Sequence, residues 1–169
     1  TTSWWIGCSP GATSGWTWIL LLHTLVGTGL IASGTAALNQ WWEREADAKM
    51  RRTQDRPLPS NRLNSRNALL FSIALSLIGS LELWFGANPL TSILGAFTLT
   101  TYLFVYTPMK RRSPHSTTVG AIPGAMPPLI GYAAAHGSVT AEGWILFAIL
   151  FLWQFPHFYA IAWMYKEDF

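Results

Sequence analysis

Five apolar runs, each close to the length a bilayer demands, alternate with short connections that collect every lysine and arginine before the last run ends. A transmembrane helix needs roughly 20 mostly apolar residues. The runs fall at about residues 16–38, 67–85, 90–106, 119–135 and 144–164. Composition agrees: half the residues are hydrophobic and 11% are charged, where a soluble domain carries about 25% charge. The pattern predicts an all-α, polytopic transmembrane helix bundle, read as a single membrane domain over 1–169.

The basic residues fall in three places, Arg44 to Arg66, Lys110 to Arg112, and Lys166. If each run crosses once, the connections 39–66 and 107–118 and the end of the fifth run share one side. The other connections, 8–15, 86–89 and 136–143, hold no Lys or Arg. The positive-inside rule then puts the basic loops in the cytoplasm. No basic stripe interleaved with aromatics points to nucleic acid. Cys8 is the only cysteine, so no intrachain disulfide and no CxxCH heme attachment is available. Residues 1–7 lack a signal-peptide pattern, and the chain starts without Met in the tail of an apolar stretch. It stops among charges after the fifth run. The expectation is a chain truncated at both ends.

Two runs have special texture. The first carries Gly27, Gly29, Ser33, Gly34, Ala36 and Ala37, small residues that let helix backbones approach. The fourth carries Pro123, Pro127 and Pro128, which should disrupt helical hydrogen bonding. Freed backbone groups survive at membrane depth where protein or a water-filled cavity meets them. A packing kink and a cavity wall both fit.

The chemistry begins where the first run ends. Asn39, Glu43 and Asp47 are spaced i, i+4, i+8, which places them on one helix face. Two carboxylates at i, i+4 repel by roughly 0.2–0.5 kcal/mol on an exposed helix. A hard cation such as Mg²⁺ relieves that repulsion, and it typically takes one or two carboxylates together with substrate phosphate oxygens. Lys49, Arg51, Arg52 and Arg56 follow at once, and Arg grips phosphate through paired hydrogen bonds. On spacing alone, a solvated juxtamembrane loop that sets topology or touches anionic lipid explains these residues as well.

The longer string is more specific. Asn39-x-x-x-Glu43-Arg44-x-x-Asp47, continued by Arg52-Thr53-x-x-Arg56-Pro57-Leu58-Pro59, resembles the first signature of the heme O synthases. That family, also called the protoheme IX farnesyltransferases, lies within the UbiA superfamily of membrane prenyltransferases. Glu43 stands where the superfamily pattern has Asp. Tyr106-Thr107-Pro108-Met109-Lys110-Arg111 with the Ile122–Gly131 stretch resembles the family's middle region. Trp153-Gln154-Phe155-Pro156-His157-Phe158, with Lys166-Glu167-Asp168 beyond it, resembles its second signature.

The resemblance implies a bundle of about nine spans, of which about five are present here. It implies farnesyl transfer from farnesyl diphosphate to a vinyl group of heme B, giving heme O for heme-copper oxidases. Mg²⁺ is the implied cofactor, with Asn39, Glu43, Asp47 and Asp168 as its ligands. Arg52, Arg56, Lys110 and Arg111 are then expected to neutralise the diphosphate, and Tyr106 or Trp153 to face the allylic cation. His157 is open among ligating heme iron, moving a proton, and bonding a carbonyl freed by the kink at Pro156. His23 reads as a packed, hydrogen-bonded histidine. Other UbiA members carry an Asp-rich second motif, so the second cation site rests on less. The implied setting is the bacterial inner membrane, in contact with lipid; oligomeric state is not indicated. The rivals are a UbiA-type enzyme acting on a quinone precursor or tetrapyrrole, and a non-catalytic membrane transporter, which also uses broken helices.

Overall fold

A computed structural model describes residues 14–50, 53–110 and 115–164, and among these the regular structure is helical throughout. Helix α1 spans Ser14–Asp47, α2 Ser65–Gly86 and α3 Pro89–Thr100. A π-helical turn, π1, continues α3 over Thr101–Tyr106 into a short α4, Thr107–Met109. Helices α5, Ser116–His136, and α6, Ala141–Met164, complete the described chain. Four segments are long and apolar enough to cross a membrane: 18–47, 65–86, 89–109 and 141–161.

Local sequence explains the ends. Asn64 caps α2 by accepting from the Arg66 amide at 2.9 Å. Asn88 caps α3 by accepting from the Thr91 amide at 2.9 Å, and Pro89 takes the first turn, where no amide donor is needed. The Asn88 side-chain amide also donates to the Ala133 carbonyl at 2.9 Å, which ties the start of α3 to the end of α5. Gly137, at φ +69°, closes α5 in the left-handed conformation that glycine adopts without strain.

Helices α1 and α2 share the longest interface of the bundle, and small residues make it possible. A side-chain carbon at Gly79 would lie 2.8 Å from the Gly27 carbonyl and 2.8 Å from the Ile31 amide. Gly27 in turn receives the Leu83 side chain. Two of the glycines anticipated as packing residues, Gly27 and Gly34, therefore do this work, whereas Gly29 faces open space. At the far end of the same interface His23 Nδ1 lies 2.6 Å from Glu82 Oε1, a hydrogen-bonded partner for an ionisable group within a span.

Helix α5 differs from the expectation for its three prolines. The helix runs unbroken through Pro123, Pro127 and Pro128. Ala121, Ala125, Met126, Leu129, Ile130, Tyr132, Ala133 and Ala134 are all buried. Packing on several sides holds the helix where intrahelical hydrogen bonds are missing. Its many Gly, Ala and Pro residues also keep it out of the four most apolar segments, although it runs 21 residues.

Candidate active site

Because α1 stays helical to Asp47, Asn39, Glu43 and Asp47 stack along one face as their spacing requires. That face is turned inward: Glu43 is 9% exposed and Asp47 2%. Each buried carboxylate has a cationic partner, as such groups require. Arg56 Nη1 donates to Asp47 Oδ2 at 2.8 Å, and Lys110 Nζ lies 3.5 Å from Glu43 Oε2. The Asn39 amide donates to Glu43 Oε2 at 3.0 Å, so the first two members of the set are already joined.

The loop after α1 explains how Arg56 reaches back. Thr53, itself 3% exposed, donates its hydroxyl to the Asp47 carbonyl at 2.9 Å. The Arg56 amide donates to the Thr53 carbonyl at 3.1 Å, and Leu58 is buried beneath. The Thr-x-x-Arg-Pro-Leu string is thus a folded turn that holds a guanidinium against a buried carboxylate. Arg52, Arg111 and Asp168, also expected at the site, lie outside the described residues.

The third wall comes from π1 and α4. Thr107 places its hydroxyl 2.9 Å from both Asn39 Oδ1 and the Tyr102 carbonyl, bridging α1 to the π turn. The wide turn brings Tyr102 and Tyr106 onto one side, with ring centroids 5.1 Å apart. Single π turns in helical segments are frequent at functional sites. Tyr106 lies so close to α5 that a side-chain carbon at Gly120 would come within 2.6 Å of its ring.

Beneath these groups lies a cavity of about 510 Å³ between α1, α3, π1, α5 and α6. Such a volume lies within the roughly 300–1,000 Å³ of small-molecule pockets. Thr28, Ile31, Ala32, Thr35 and Ala36 line it from α1, the same side of the helix that leads on to Asn39. Gly120, Pro123, Gly124, Pro127 and Ile130 line it from α5. Of the two readings of the prolines, the cavity wall is the one the structure displays. Helix α6 contributes Gln154 and Phe158. Gln154 is 7% exposed, donates to the Ala121 carbonyl at 3.1 Å, and packs onto α5 where Gly124 has no side chain.

Trp153 and His157 take another direction. Their rings stack at 4.7 Å between centroids, on the exposed side of α6, and neither lines the cavity. The structure therefore brings together Asn39, Glu43, Asp47, Arg56, Lys110 and Tyr106, and leaves Trp153 and His157 apart. Thr107, Tyr102 and Gln154 carry no charge and show no spacing that would single them out from the sequence.

A buried carboxylate pair held by cations, above an apolar cavity in an integral membrane helix bundle, suits an enzyme that handles a lipid-tailed anion. The chain belongs to the UbiA prenyltransferase family, whose pattern matches residues 1–169. It is 71% identical over 149 residues to a protoheme IX farnesyltransferase of Solibacter usitatus, a match covering 88% of this chain and 51% of that protein. Proteins of the same name from Opitutus terrae and Sorangium cellulosum are 47% and 48% identical, over 91% and 88% of the chain and 52% of each relative. The chain thus spans about half the length of the curated relatives it matches. No solved structure matches it.

Proposed function

We propose that this chain forms the donor-binding half of an enzyme that transfers a farnesyl group from farnesyl diphosphate to a vinyl group of heme B, giving heme O. The observation that carries the proposal is the position of the Asn39–Glu43–Asp47 face at the mouth of an apolar cavity. That arrangement suits a molecule with a diphosphate head and a hydrocarbon tail. The relatives' names supply the farnesyl group and the heme. The basic loops place the mouth at the cytoplasmic edge of the inner membrane.

Divalent metal for diphosphate binding is general in the family. The residues here fit it: an amide oxygen and two buried carboxylates are hard donors, and two carboxylates with phosphate oxygens make a typical Mg²⁺ set. Asn39, Glu43 and Asp47 would hold the ion, with Asp168 on the opposing side, and its charge would stabilise the diphosphate. Arg56 and Lys110, whose side chains are 42% and 48% exposed, are within reach of the same head group. They hold the carboxylates in the empty site and exchange partners toward the diphosphate, joined by Arg52 and Arg111.

Cleavage of the farnesyl C1–O bond sends its electron pair to diphosphate and leaves an allylic cation. A vinyl carbon of heme B then bonds to C1. Water adds to the resulting cation and loses a proton, giving a hydroxyethylfarnesyl side chain. Tyr106 and Tyr102 flank the cavity below the head group, where a ring face stabilises a cation by about 0.5–2 kcal/mol. The apolar walls keep stray water from the allylic cation. Trp153 and His157, on the outer side of α6, are placed for contact with heme rather than with the prenyl tail.

The test uses the full-length protein that contains this chain, supplied with heme B, farnesyl diphosphate and Mg²⁺, with products read by mass spectrometry. Farnesylated heme is expected, and Asp47→Asn should lower its formation about 10²–10³-fold, the usual effect of losing one preorganised electrostatic partner. Absence of farnesylated heme from the folded wild-type protein overturns the assignment. An Asp47→Asn variant of undiminished rate removes the metal role.

A further inference from the structure

We propose that Thr28 and Ile130 form a floor that sets the donor's length at three isoprene units; this rests on the prenyl-transfer reading above. Three walls give the cavity nearly the same depth. Thr28 precedes Asn39 by eleven residues along α1, about 16 Å at the helical rise. Gly120, against Tyr106, precedes Ile130 by ten residues along α5, about 15 Å. Gly95 precedes Tyr106 by eleven residues through α3 and π1, about 16 Å.

An extended chain advances about 1.2 Å per bond, the figure implied by a peptide's 3.3–3.6 Å for three bonds. An isoprene unit of four main-chain bonds then spans about 5 Å. Three units need about 14 Å and fit, whereas four need about 19 Å and do not.

The floor is closed rather than open to lipid. Leu83, Thr91 and Leu129 are at most 1% exposed, and these are among the largest fully buried side chains. Ile130 itself is 3% exposed and packs in a cluster with Met126 and Leu129. A tail has no room to continue without moving this packing, which interiors resist.

Thr28 adds a second obstacle. Thr24 and Thr35 return their hydroxyls to the carbonyl four residues back, at 2.7 Å each. Thr28 Oγ1 is buried and has no hydrogen-bond partner, the only such side-chain atom among the described residues whose burial is complete. Pressing a longer hydrocarbon against an unpaired hydroxyl seals it further from water, which opposes binding.

The test compares geranyl, farnesyl and geranylgeranyl diphosphates as donors to the full-length protein, with kcat/KM for transfer and thermal stabilisation in detergent measured in parallel. The wild-type protein is expected to prefer farnesyl over geranylgeranyl by at least about tenfold. Thr28→Ala and Ile130→Ala should each raise the geranylgeranyl-to-farnesyl ratio by about tenfold. Thr28→Phe should move the preference toward geranyl. Thr28→Ala removes little packing and carries the test if Ile130→Ala does not fold. Equal use of the two longer donors by wild type, or an unchanged ratio in a folded Thr28→Ala protein, overturns the floor. If no donor is transferred yet stabilisation still peaks at the farnesyl compound and shifts in the variants, the floor stands and the proposed reaction falls.

Discussion

Helices α5 and α6 pack against each other and differ in almost every other respect. Helix α6 is among the segments most suited to a membrane, yet only 6% of its most apolar window is buried within the bundle. Ile145, Ile149, Leu152 and Trp163 are between 58% and 75% exposed. Helix α5 is less apolar, carries three prolines, and is buried along most of its length. The difference teaches what apolarity records in a membrane chain. Lipid is as apolar as leucine, so helix packing there is driven by close approach rather than by escape from water. A long apolar side chain serves the outside; small residues and prolines serve the inside and the cavity wall.

That comparison can be broken by measuring stability in mixed detergent and denaturant. The largest effect is expected for Leu129→Ala, at 1% exposure, which should cost about 2–5 kcal/mol through the cavity it leaves. Gly124→Val comes next. Its side chain would occupy the space of the Gln154 amide, whose carbon would lie 2.9 Å from the first added atom. Overpacking of this kind costs about 1–3 kcal/mol, and prenyl transfer should fall with it because Gly124 and Gln154 both line the cavity. Leu152→Ala, at 65% exposure, should change stability by less than about 0.5 kcal/mol. A cost for Leu152→Ala as large as that for Leu129→Ala would show that protein covers the bare side of α6.

Half of the candidate site was legible from local spacing. Asn39, Glu43 and Asp47 lie within nine residues on a helix that continues through them, so their common face follows from the helical period. Arg56 was legible as a cation near a carboxylate, though its pairing with Asp47 needed the turn through Thr53. Thr107 was not legible, because its partner Asn39 is 68 positions away and a hydroxyl gives no distinctive pattern. Gln154 contacts Ala121 at a separation of 33. The signature around it drew attention to His157 and Trp153, whose side chains lie on the other side of the helix from the cavity. One helix can present a motif's residues to two environments, and only the packing partner says which.

The sequence by itself determined the number and order of helices, the charged connections, and the inward run of Asn39, Glu43 and Asp47. These depend on local composition and on a period of 3.6 residues, which neighbours in the chain decide. Tertiary structure alone decided that the prolines of α5 line a cavity, that a π turn sets Tyr102 beside Tyr106, and that Thr28 and Ile130 meet its lower end. Those facts arise from contacts between segments tens of residues apart. Their geometry depends on how closely backbones approach, and small residues permit that approach without specifying which neighbour makes it.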